Sequence, residues 1–401
     1  MTTKGWRLTW PAEIVFGRGT SAQLADLLPP GRRVLVVVSG STAHLAAPLL
    51  GDERVEVARV LVTGEPVLER VAEEVARVRP AAAELIVAVG GGSVIDTAKA
   101  LAAFLPNDDH PPRDHLEVVG AGYPLTRDPL PVVALPTTAG TGAEATHNAV
   151  LAVPDAARKV SLRDRRLTPR LVVVDPDLGR DVPHAVAVAA GLDAAVQLVE
   201  AAVTPLATPP ARMAAMEGAA VALPALDALI AGTAGERERD ALAYGALLSG
   251  IALANGKLGT IHGFAGVLGG YRDLAHGALC GWFAAPVLTA TIAALRTQGD
   301  PAASTALTRY AELATHITAG GRTSDGSRAP EDLAAWFDRL VADAELPALD
   351  LNGLPVDEVI AAVGQASSTR GNPVDLDDAQ LHRVLSDQAS RSRGSSGTST
   401  A

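Results

Sequence analysis

Short apolar runs alternate with longer amphipathic stretches in the first part of the chain. The runs are rich in valine and several stop at glycine or serine, which is typical of strands buried in a parallel sheet. Between them, segment 66–80 spaces its apolar residues three and four apart, which predicts a helix with one buried face. The predicted strands are 32–41, 55–62, 84–93, 131–140 and 170–177. This alternation predicts an α/β domain whose ligand site lies at the carboxyl ends of parallel strands.

The pattern changes near Pro183, where alanine-rich helical segments follow one another without a strand between them. The predicted helices span 184–203, 209–232, 237–257, 276–295, 301–318, 330–345 and 355–366. This succession predicts an all-helical second domain. We therefore expect an α/β domain over 1–180, a helical domain over 181–388 and a disordered, serine-rich tail over 389–401.

Composition narrows the class of protein. Of the 401 residues, 48% are hydrophobic and 20% are charged, which is typical of a soluble globular protein. A formal net charge of -11 argues against a nucleic-acid partner. The single cysteine, Cys280, excludes an internal disulfide and a zinc site built from cysteines; with no apolar signal-peptide core at the N-terminus, we expect a cytoplasmic protein. Segment 278–295 is strongly apolar but contains glycine, proline and threonine, so we interpret it as a buried helix and expect no membrane partner.

The segment GGGSVIDTAKA, residues 90–100, joins a predicted strand to a predicted helix. Glycines let the backbone approach a pyrophosphate, and a helix N-terminus offers free N–H groups and the positive end of the helix dipole. Ser93 and Asp96 have the spacing of a capping box, which predicts that the helix starts at Ser93. The alternative is a plain strand-to-helix turn, because no G-x-G-x-x-G follows the first strand.

A second loop rich in glycine and threonine, PTTAGTGAEAT at 136–146, follows the fourth predicted strand. It offers backbone N–H groups together with the hydroxyls of Thr137, Thr138 and Thr141. Two such loops at neighbouring strand ends are suited to hold the two ends of one dinucleotide. His147 follows this loop directly and is a candidate to face the same pocket.

Two histidines and one pair of polar helical residues make a candidate ligand set. His262 and His276 flank a glycine-containing turn, so two helices on either side would each present one imidazole to a shared point. Asp193 and Gln197 are four residues apart in a helical segment and therefore share one helical face. Each histidine taken alone is better explained as a hydrogen-bonded core residue than as a ligand.

The order of these motifs resembles the group III, or iron-dependent, alcohol dehydrogenases, whose relatives include maleylacetate reductases, glycerol dehydrogenases and dehydroquinate synthases. The resemblance runs over roughly 8–388 and includes GGGSVIDTAKA, PTTAGTGAEAT, VVVDPDL, GLDAAVQLVEA, IHGFAGVLGG and LAHGALCGWFAAP. It implies an N-terminal dinucleotide-binding α/β domain with a Rossmann-like parallel sheet and an all-helical C-terminal metal domain. It also implies an active site in the cleft between them and a homodimer.

The resemblance also implies roles for individual residues. The residues that would bind NAD or NADP are Gly40, Gly90, Gly91, Gly92, Ser93, Asp96, Thr137, Thr138, Thr141, Gly142 and Lys159. Those that would bind a divalent metal, Fe²⁺ or Zn²⁺, are Asp193, Gln197, His262 and His276. Gln197, His262 and His276 are at the same time the candidate catalytic residues.

Three positions depart from the family pattern. Position 197 is usually histidine in metal-dependent members, and a carboxamide oxygen is a weaker donor for a transition metal. Position 266, where many members carry a histidine for proton transfer, is Gly266. The first strand often ends in an acidic residue that binds the adenosine ribose; Gly40 stands there, so NADP(H) becomes compatible.

These observations predict an NAD(P)-dependent oxidoreductase that moves hydride between nicotinamide and an alcohol, aldehyde or ketone with metal assistance. One alternative is a metal-independent reductase, in which Gln197 donates to the substrate oxygen and His262 or His276 is the acid. A second is a lyase of the dehydroquinate synthase type, although the helical domain has a single lysine, Lys257. The substrate stays open and includes biosynthetic intermediates, such as a β-hydroxy acid whose oxidation leads to decarboxylation. We expect Phe264 and Tyr271 near a small apolar pocket.

Overall fold

The computed structural model describes residues 5–50, 55–156, 158–272, 274–317 and 329–395. These residues form two compact units. The first is Thr9–Val182, and the second takes in the described chain from Pro183 onward together with residues 5–8. The division between Val182 and Pro183 lies close to the boundary expected after residue 180.

The first unit contains, within the described residues, a six-stranded sheet in which all neighbouring strands are parallel. The strands of the unit are β1 (Glu13–Phe16), β2 (Arg33–Ser39), β3 (Val55–Val62), β4 (Leu85–Gly90), β5 (Val132–Pro136), β6 (Asn148–Val153), β7 (Arg158–Arg163) and β8 (Leu171–Val174). The order in the sheet is β1-β8-β5-β4-β2-β3, whereas β6 and β7 form a separate antiparallel pair. The predicted α/β class and all five predicted strands are confirmed.

The central strands are apolar on both faces because both faces are covered. In β2, Leu35 and Val37 pack into one hydrophobic cluster, and Val34, Val36 and Val38 pack into another. The covering helices are α1 (Leu24–Leu27), α2 (Ala43–Leu50), α3 (Leu68–Val78) and α4 (Gly92–Phe104). A strand buried on both faces is a continuous apolar run in the sequence, and for this reason the central strands could be predicted.

The sequence pattern did not predict β1, β6 and β7. β1 is short and partly exposed, and β6 alternates buried with half-buried residues because it covers α4 with one face only. Such strands have no continuous apolar run, so the pattern typical of fully buried strands does not indicate them.

The second unit is helical throughout its described residues. Its helices are α5 (His184–Val203), α6 (Pro209–Ile230), α7 (Glu236–Ala254), α8 (Thr260–Leu268), α9 (His276–Gln298), α10 (Pro301–Ala314), α11 (Pro330–Asp343), α12 (Val356–Gln365) and α13 (Asp378–Ser395). Helix α5 lies at the centre, in contact with α6, α7, α9 and α10, and it is buried from Gly191 to Val203. The predicted all-helical domain is confirmed.

The expected disordered tail over 389–401 is wrong for its first part. Helix α13 continues to Ser395, and residues 396–401 lie outside the described residues. The serine and arginine content of this stretch suggested disorder, but the helix had already started at Asp378 and extends through it.

Three helices among the described residues, α5, α6 and α9, are long and apolar enough to cross a membrane by length and composition. In α5 and α9, 83% and 72% of the most apolar window is buried inside the unit. The apolar character of α5 and α9 is therefore accounted for by packing against other helices, as expected for 278–295.

Candidate active site

Four side chains from three helices converge in the helical unit. Asp193 comes from the middle of α5, His262 from the first turn of α8, and His276 and Cys280 from the first two turns of α9. One potential ligand atom from each lies within 4.8 Å of all the others. We call these four residues the acid–imidazole cluster.

Helix α9 can start this close to α5 because its second residue is glycine. A Cβ added at Gly277 would lie 1.8 Å from the backbone oxygen of Ala189 and 3.1 Å from the Cβ of Asp193. The absent side chain therefore lets the first turn of α9, with His276, approach Asp193.

The distances within the acid–imidazole cluster fit a metal ion. Asp193 Oδ1 is 3.2 Å from His262 Nε2, 3.9 Å from His276 Nε2 and 3.7 Å from Cys280 Sγ; Sγ is also 3.7 Å from His262 Nε2. Tetrahedral coordination with ordinary zinc–ligand bond lengths places oxygen and nitrogen donors about 3.4 Å apart, and sulfur about 3.6 Å from either. The residues present therefore suit a divalent transition metal in both donor type and spacing.

Exposure differs sharply within the acid–imidazole cluster. The side chains of Asp193 and His262 are 2% and 5% exposed and Cys280 is fully buried, whereas His276 is 35% exposed. Solvent and small molecules thus reach this cluster from the side of His276.

A second carboxylate orients His262. Glu200, two turns after Asp193 on α5, lies with Oε2 2.7 Å from His262 Nδ1 and accepts from the Ile261 N–H through Oε1. With Nδ1–H donating to Glu200, the Nε2 lone pair of His262 is directed into the acid–imidazole cluster. A carboxylate behind a histidine is the usual outer partner of a metal-bound imidazole.

Gln197 reaches the acid–imidazole cluster from α5, as its spacing predicted. Its Nε2 is 3.4 Å from Asp193 Oδ1, and its Oε1 is 3.0 Å from the hydroxyl of Ser249. The structure therefore brings together all four residues that the resemblance assigned to metal, namely Asp193, Gln197, His262 and His276.

Mutual electrostatics dominates the protonation of the acid–imidazole cluster. Burial alone would raise the pKa of Asp193, but the hydrogen bond to His262 and the charge of His276 hold this pKa below its usual range. Burial alone would lower the pKa of His262, but Cys280, Asp193 and Glu200 raise it well above the usual value. Protons on the imidazoles thus balance the acidic groups, and a divalent cation would take over that balancing role.

The two predicted cofactor loops are adjacent in the first unit. Gly90 pairs with Pro136 at the ends of β4 and β5, and the Thr137 N–H donates to the Gly90 carbonyl. A Cβ added at Gly92 would lie 2.8 Å from Thr141 Oγ1, so glycine permits the contact between the loops.

The capping-box prediction is wrong. Helix α4 starts at Gly92 with Gly91 as its N-cap, so Ser93 lies inside the helix. The Asp96 carboxylate instead accepts from the Val150 N–H, across to the β6–β7 pair. A long-range backbone partner competes here with the local cap that the spacing suggested.

Asp96 belongs to a second group of buried charges with Lys99 and Glu144, which we call the lysine cluster. Lys99 is fully buried, and its ammonium donates to the carbonyls of Ala143 and Asn148 and to the Thr146 hydroxyl. Burial lowers the pKa of Lys99 to about 8 and raises those of Asp96 and Glu144 to about 6 and about 7, while attraction between the opposite charges limits each shift. Lys99 thus ties the last part of the second loop, and the start of β6, to α4.

Other residues with predicted cofactor roles are more dispersed. Gly40 directly follows β2, next to β4, and a Cβ added there would meet no atom within 4 Å. Lys159 lies on β7 and forms an ion pair with Glu65 at 2.6 Å. His147 is half-buried; burial lowers its pKa, and its Nδ1 is among the buried polar atoms without a hydrogen-bond partner in the described chain.

Two predicted pocket residues have different environments. Phe264 is fully buried and stacks on Phe283 with ring centroids 4.7 Å apart, so it belongs to the core and does not line an open pocket. Tyr271 is 40% exposed.

Gly266 is exposed, and a Cβ added there would meet no atom within 4 Å, so this position has room for a larger side chain.

Sequence reasoning missed Glu200 and Cys280. Glu200 follows Asp193 by seven residues and Cys280 follows His276 by four, so both lie on the same helical faces as predicted ligands. Those spacings were available as signals. The single cysteine was set aside because one thiol cannot build a cysteine-only zinc site, which left out its use in a mixed donor set.

Comparison with known proteins covers both units. Residues 11–176 match the family described as iron-containing alcohol dehydrogenase, and residues 187–389 match its C-terminal domain. An NAD-dependent methanol dehydrogenase of Bacillus methanolicus is 36% identical over 48% of this chain and 50% of its own length. An NADPH-dependent butanol dehydrogenase of Clostridium saccharobutylicum is 28% identical over 80% of each chain. The structure of an alcohol dehydrogenase from Oenococcus oeni superposes with a TM-score of 0.81 at 24% identity, covering 96% of this chain and all of that one.

Proposed function

The chain belongs to the iron-containing alcohol dehydrogenase family, and from this premise we propose that it transfers hydride between a nicotinamide cofactor and a small alcohol or carbonyl compound, assisted by a divalent metal. The match to the Bacillus methanolicus relative spans only half of that protein, so the activity is inferred for this chain from its own residues. The observation that carries the proposal is the convergence of Asp193, His262 and His276, with Glu200 behind His262.

We propose that Asp193, His262 and His276 hold the metal. A divalent cation bound there would supply Lewis acidity toward the alcohol or carbonyl oxygen of the substrate. Glu200 fixes the orientation of His262, and the exposed edge of His276 marks the side from which substrate and water enter. Gly266 has no side chain that could accept a proton, so water or a ribose hydroxyl of the bound cofactor would have to take up the proton of the alcohol.

We propose that the loops after β4 and β5 bind the dinucleotide. Gly90, Gly91 and Gly92 precede or begin α4, whose N-terminal N–H groups would bind a pyrophosphate, and glycine at these positions lets Thr138 and Thr141 of the second loop pack close by. Gly40 places no carboxylate against a ribose 2′-phosphate, which favours acceptance of NADP(H) as well as NAD(H). A homodimer in a reducing cytoplasm is the proposed setting.

The test uses the purified full chain, stripped with a chelator and reloaded with Fe²⁺ or Zn²⁺. We expect calorimetric binding of NADPH or NADH, and oxidation of short alcohols that disappears on chelation and returns with metal. Absence of binding by both cofactors would end the proposal. Full activity in protein shown to contain no metal would favour the metal-independent reductase, with Gln197 as donor to the substrate.

A further inference from the structure

We propose that the fourth protein ligand of the metal is the thiolate of Cys280 and that Gln197 is a positioning residue that acts on Asp193. The inference rests on the metal site of the proposed function and specifies its donor set as one carboxylate, two imidazoles and one thiolate. It departs from the assignment of Gln197 that the resemblance implied.

The position of the sulfur is the first argument. Cys280 Sγ is 3.7 Å from both Asp193 Oδ1 and His262 Nε2. These separations match the edges of about 3.6 Å that a sulfur donor makes with oxygen or nitrogen donors around a tetrahedral ion. Helix α9 places the thiol one turn after His276, and Sγ lies within 4.8 Å of the ligand atoms of all three other residues.

The hydrogen bonds of Gln197 are the second argument. Its Nε2 lies 3.4 Å from Asp193 Oδ1. Its Oε1 lies 3.0 Å from the Ser249 hydroxyl oxygen, whose proton has a closer acceptor in the Ala246 carbonyl at 2.7 Å. In this orientation the amide holds the carboxylate in place. The opposite amide orientation would present Oε1 to the metal, and loss of one oxygen neighbour from the X-ray absorption spectrum of Gln197→Ala would identify that arrangement.

Charge and donor softness are the third argument. Asp193 and a Cys280 thiolate supply two negative charges directly to a divalent ion among largely buried ligands, whereas Asp193 and a neutral amide supply one. A thiolate is also a stronger donor than an amide oxygen for Zn²⁺, Co²⁺ and Fe²⁺. Because the chain has one cysteine, any sulfur signal at the metal that is abolished by substituting this residue is assigned without ambiguity.

The test loads the chelator-stripped full chain with Zn²⁺ or Co²⁺ alone. We expect X-ray absorption of the zinc form to show one sulfur neighbour at about 2.3 Å, and the cobalt form to show a near-ultraviolet sulfur-to-cobalt charge-transfer band. In Cys280→Ser both signals should vanish, and metal affinity should fall on the order of a hundredfold, since loss of even an outer partner costs 10–100-fold. In the matched variant Gln197→Ala both sulfur signals should persist.

Wild-type protein that binds the metal with oxygen and nitrogen neighbours only, or that binds no metal, would overturn the inference; neither result depends on a variant that folds. The outcomes for ligand and function are separable. Metal without sulfur in an active dehydrogenase rejects the thiolate ligand and leaves the proposed function intact. A sulfur-bound metal in a protein that oxidises no alcohol and binds no dinucleotide rejects the proposed function and leaves the ligand assignment intact.

Discussion

The lysine cluster of the first unit and the acid–imidazole cluster of the helical unit are both buried groups of charged side chains, but only the first contains an ammonium group. In the lysine cluster, the ammonium of Lys99 lies 4.0 Å from Asp96 and donates to three protein oxygens. In the acid–imidazole cluster, lone pairs of oxygen, nitrogen and sulfur converge within 4.8 Å, and positive charge depends on protons held by the imidazoles.

The difference distinguishes a structural polar group from a ligand-binding one. Lys99 has all three of its N–H donors engaged, so the lysine cluster is complete as folded and stabilises the loop between β5 and β6. In the acid–imidazole cluster the groups are held together by protons on the imidazoles, and under the proposed function a divalent cation would replace those protons. Substitutions in the two places should therefore affect different quantities: stability in the first and metal binding in the second.

The largest expected effect comes from Asp193→Asn. Asp193 Oδ1 contacts His262, His276 and Cys280, so removing its charge should lower kcat/KM on the order of 10³-fold and greatly reduce bound metal. Steady-state kinetics and elemental analysis of the dialysed protein measure both. Asp343→Asn, an exposed aspartate at the end of α11, is the control and should change neither. Normal metal content in Asp193→Asn would contradict the site.

Lys99→Met should act on stability. It leaves two buried carboxylates without their cation and removes the Lys99 hydrogen bond from three protein oxygens, which should cost about 3–5 kcal/mol in the free energy of unfolding. Urea denaturation measures this loss. Lys159→Met, which breaks a more exposed ion pair with Glu65, is the matched control and should cost at most about 1 kcal/mol. Equal losses in the two variants would mean that burial of the Lys99 ion pair is unimportant.

The same variant has a signature in pH. The raised pKa values of Asp96 and Glu144, about 6 and about 7, mean that the folded state binds their protons more tightly than the unfolded state. Their contribution to stability therefore falls as pH rises from the unfolded values through these folded values. Without Lys99 the folded pKa values move higher still, so the stability gap between wild type and Lys99→Met should widen from about pH 6 upward. A gap independent of pH would show that these carboxylates do not interact with Lys99.

Glu200→Gln should weaken the metal site without dismantling it. The amide keeps an acceptor for the Ile261 N–H but loses the negative charge behind His262. Metal affinity should fall about 10–100-fold, as measured by competition with a chromophoric chelator. Exposed Glu217→Gln on α6 serves as the control, and its affinity should equal that of wild type. An unchanged affinity in Glu200→Gln would remove Glu200 from the site.

Gln197→His should have the smallest effect. An imidazole at this position adds a stronger donor next to Asp193, but Cys280 already supplies a fourth ligand, so Zn²⁺ affinity should rise roughly tenfold or less. The same variant combined with Cys280→Ser should gain much more over its own parent, Cys280→Ser. Chelator competition on these four proteins gives the comparison, and equal gains in both backgrounds would mean that positions 197 and 280 do not share one ion.

Features that depend on residues close together in the sequence could be predicted, whereas contacts between residues far apart in the sequence could not. The parallel sheet, the glycine loop and the pairing of Asp193 with Gln197 depend on periods of two to four residues, and these were predictable. The partners of Asp96, His262 and Cys280 lie 54, 62 and 87 residues away in the chain, at Val150, Glu200 and Asp193. Such contacts exist only after packing, so a local capping rule misassigned Asp96 and composition alone set Cys280 aside.

The seating of Asp193, Gln197 and Glu200 on successive turns of one buried helix has a consequence for how this site can change over time. The spacing along α5 determines the positions of the three side chains, and these positions do not depend on which residue type occupies each one. A one-residue insertion between Asp193 and Glu200 would turn the later residue about 100° away from His262 and destroy the arrangement in a single step. A substitution at 197 alters one donor and leaves the frame intact. The site can therefore tolerate substitutions at its positions on α5, but it cannot tolerate an insertion or deletion between them.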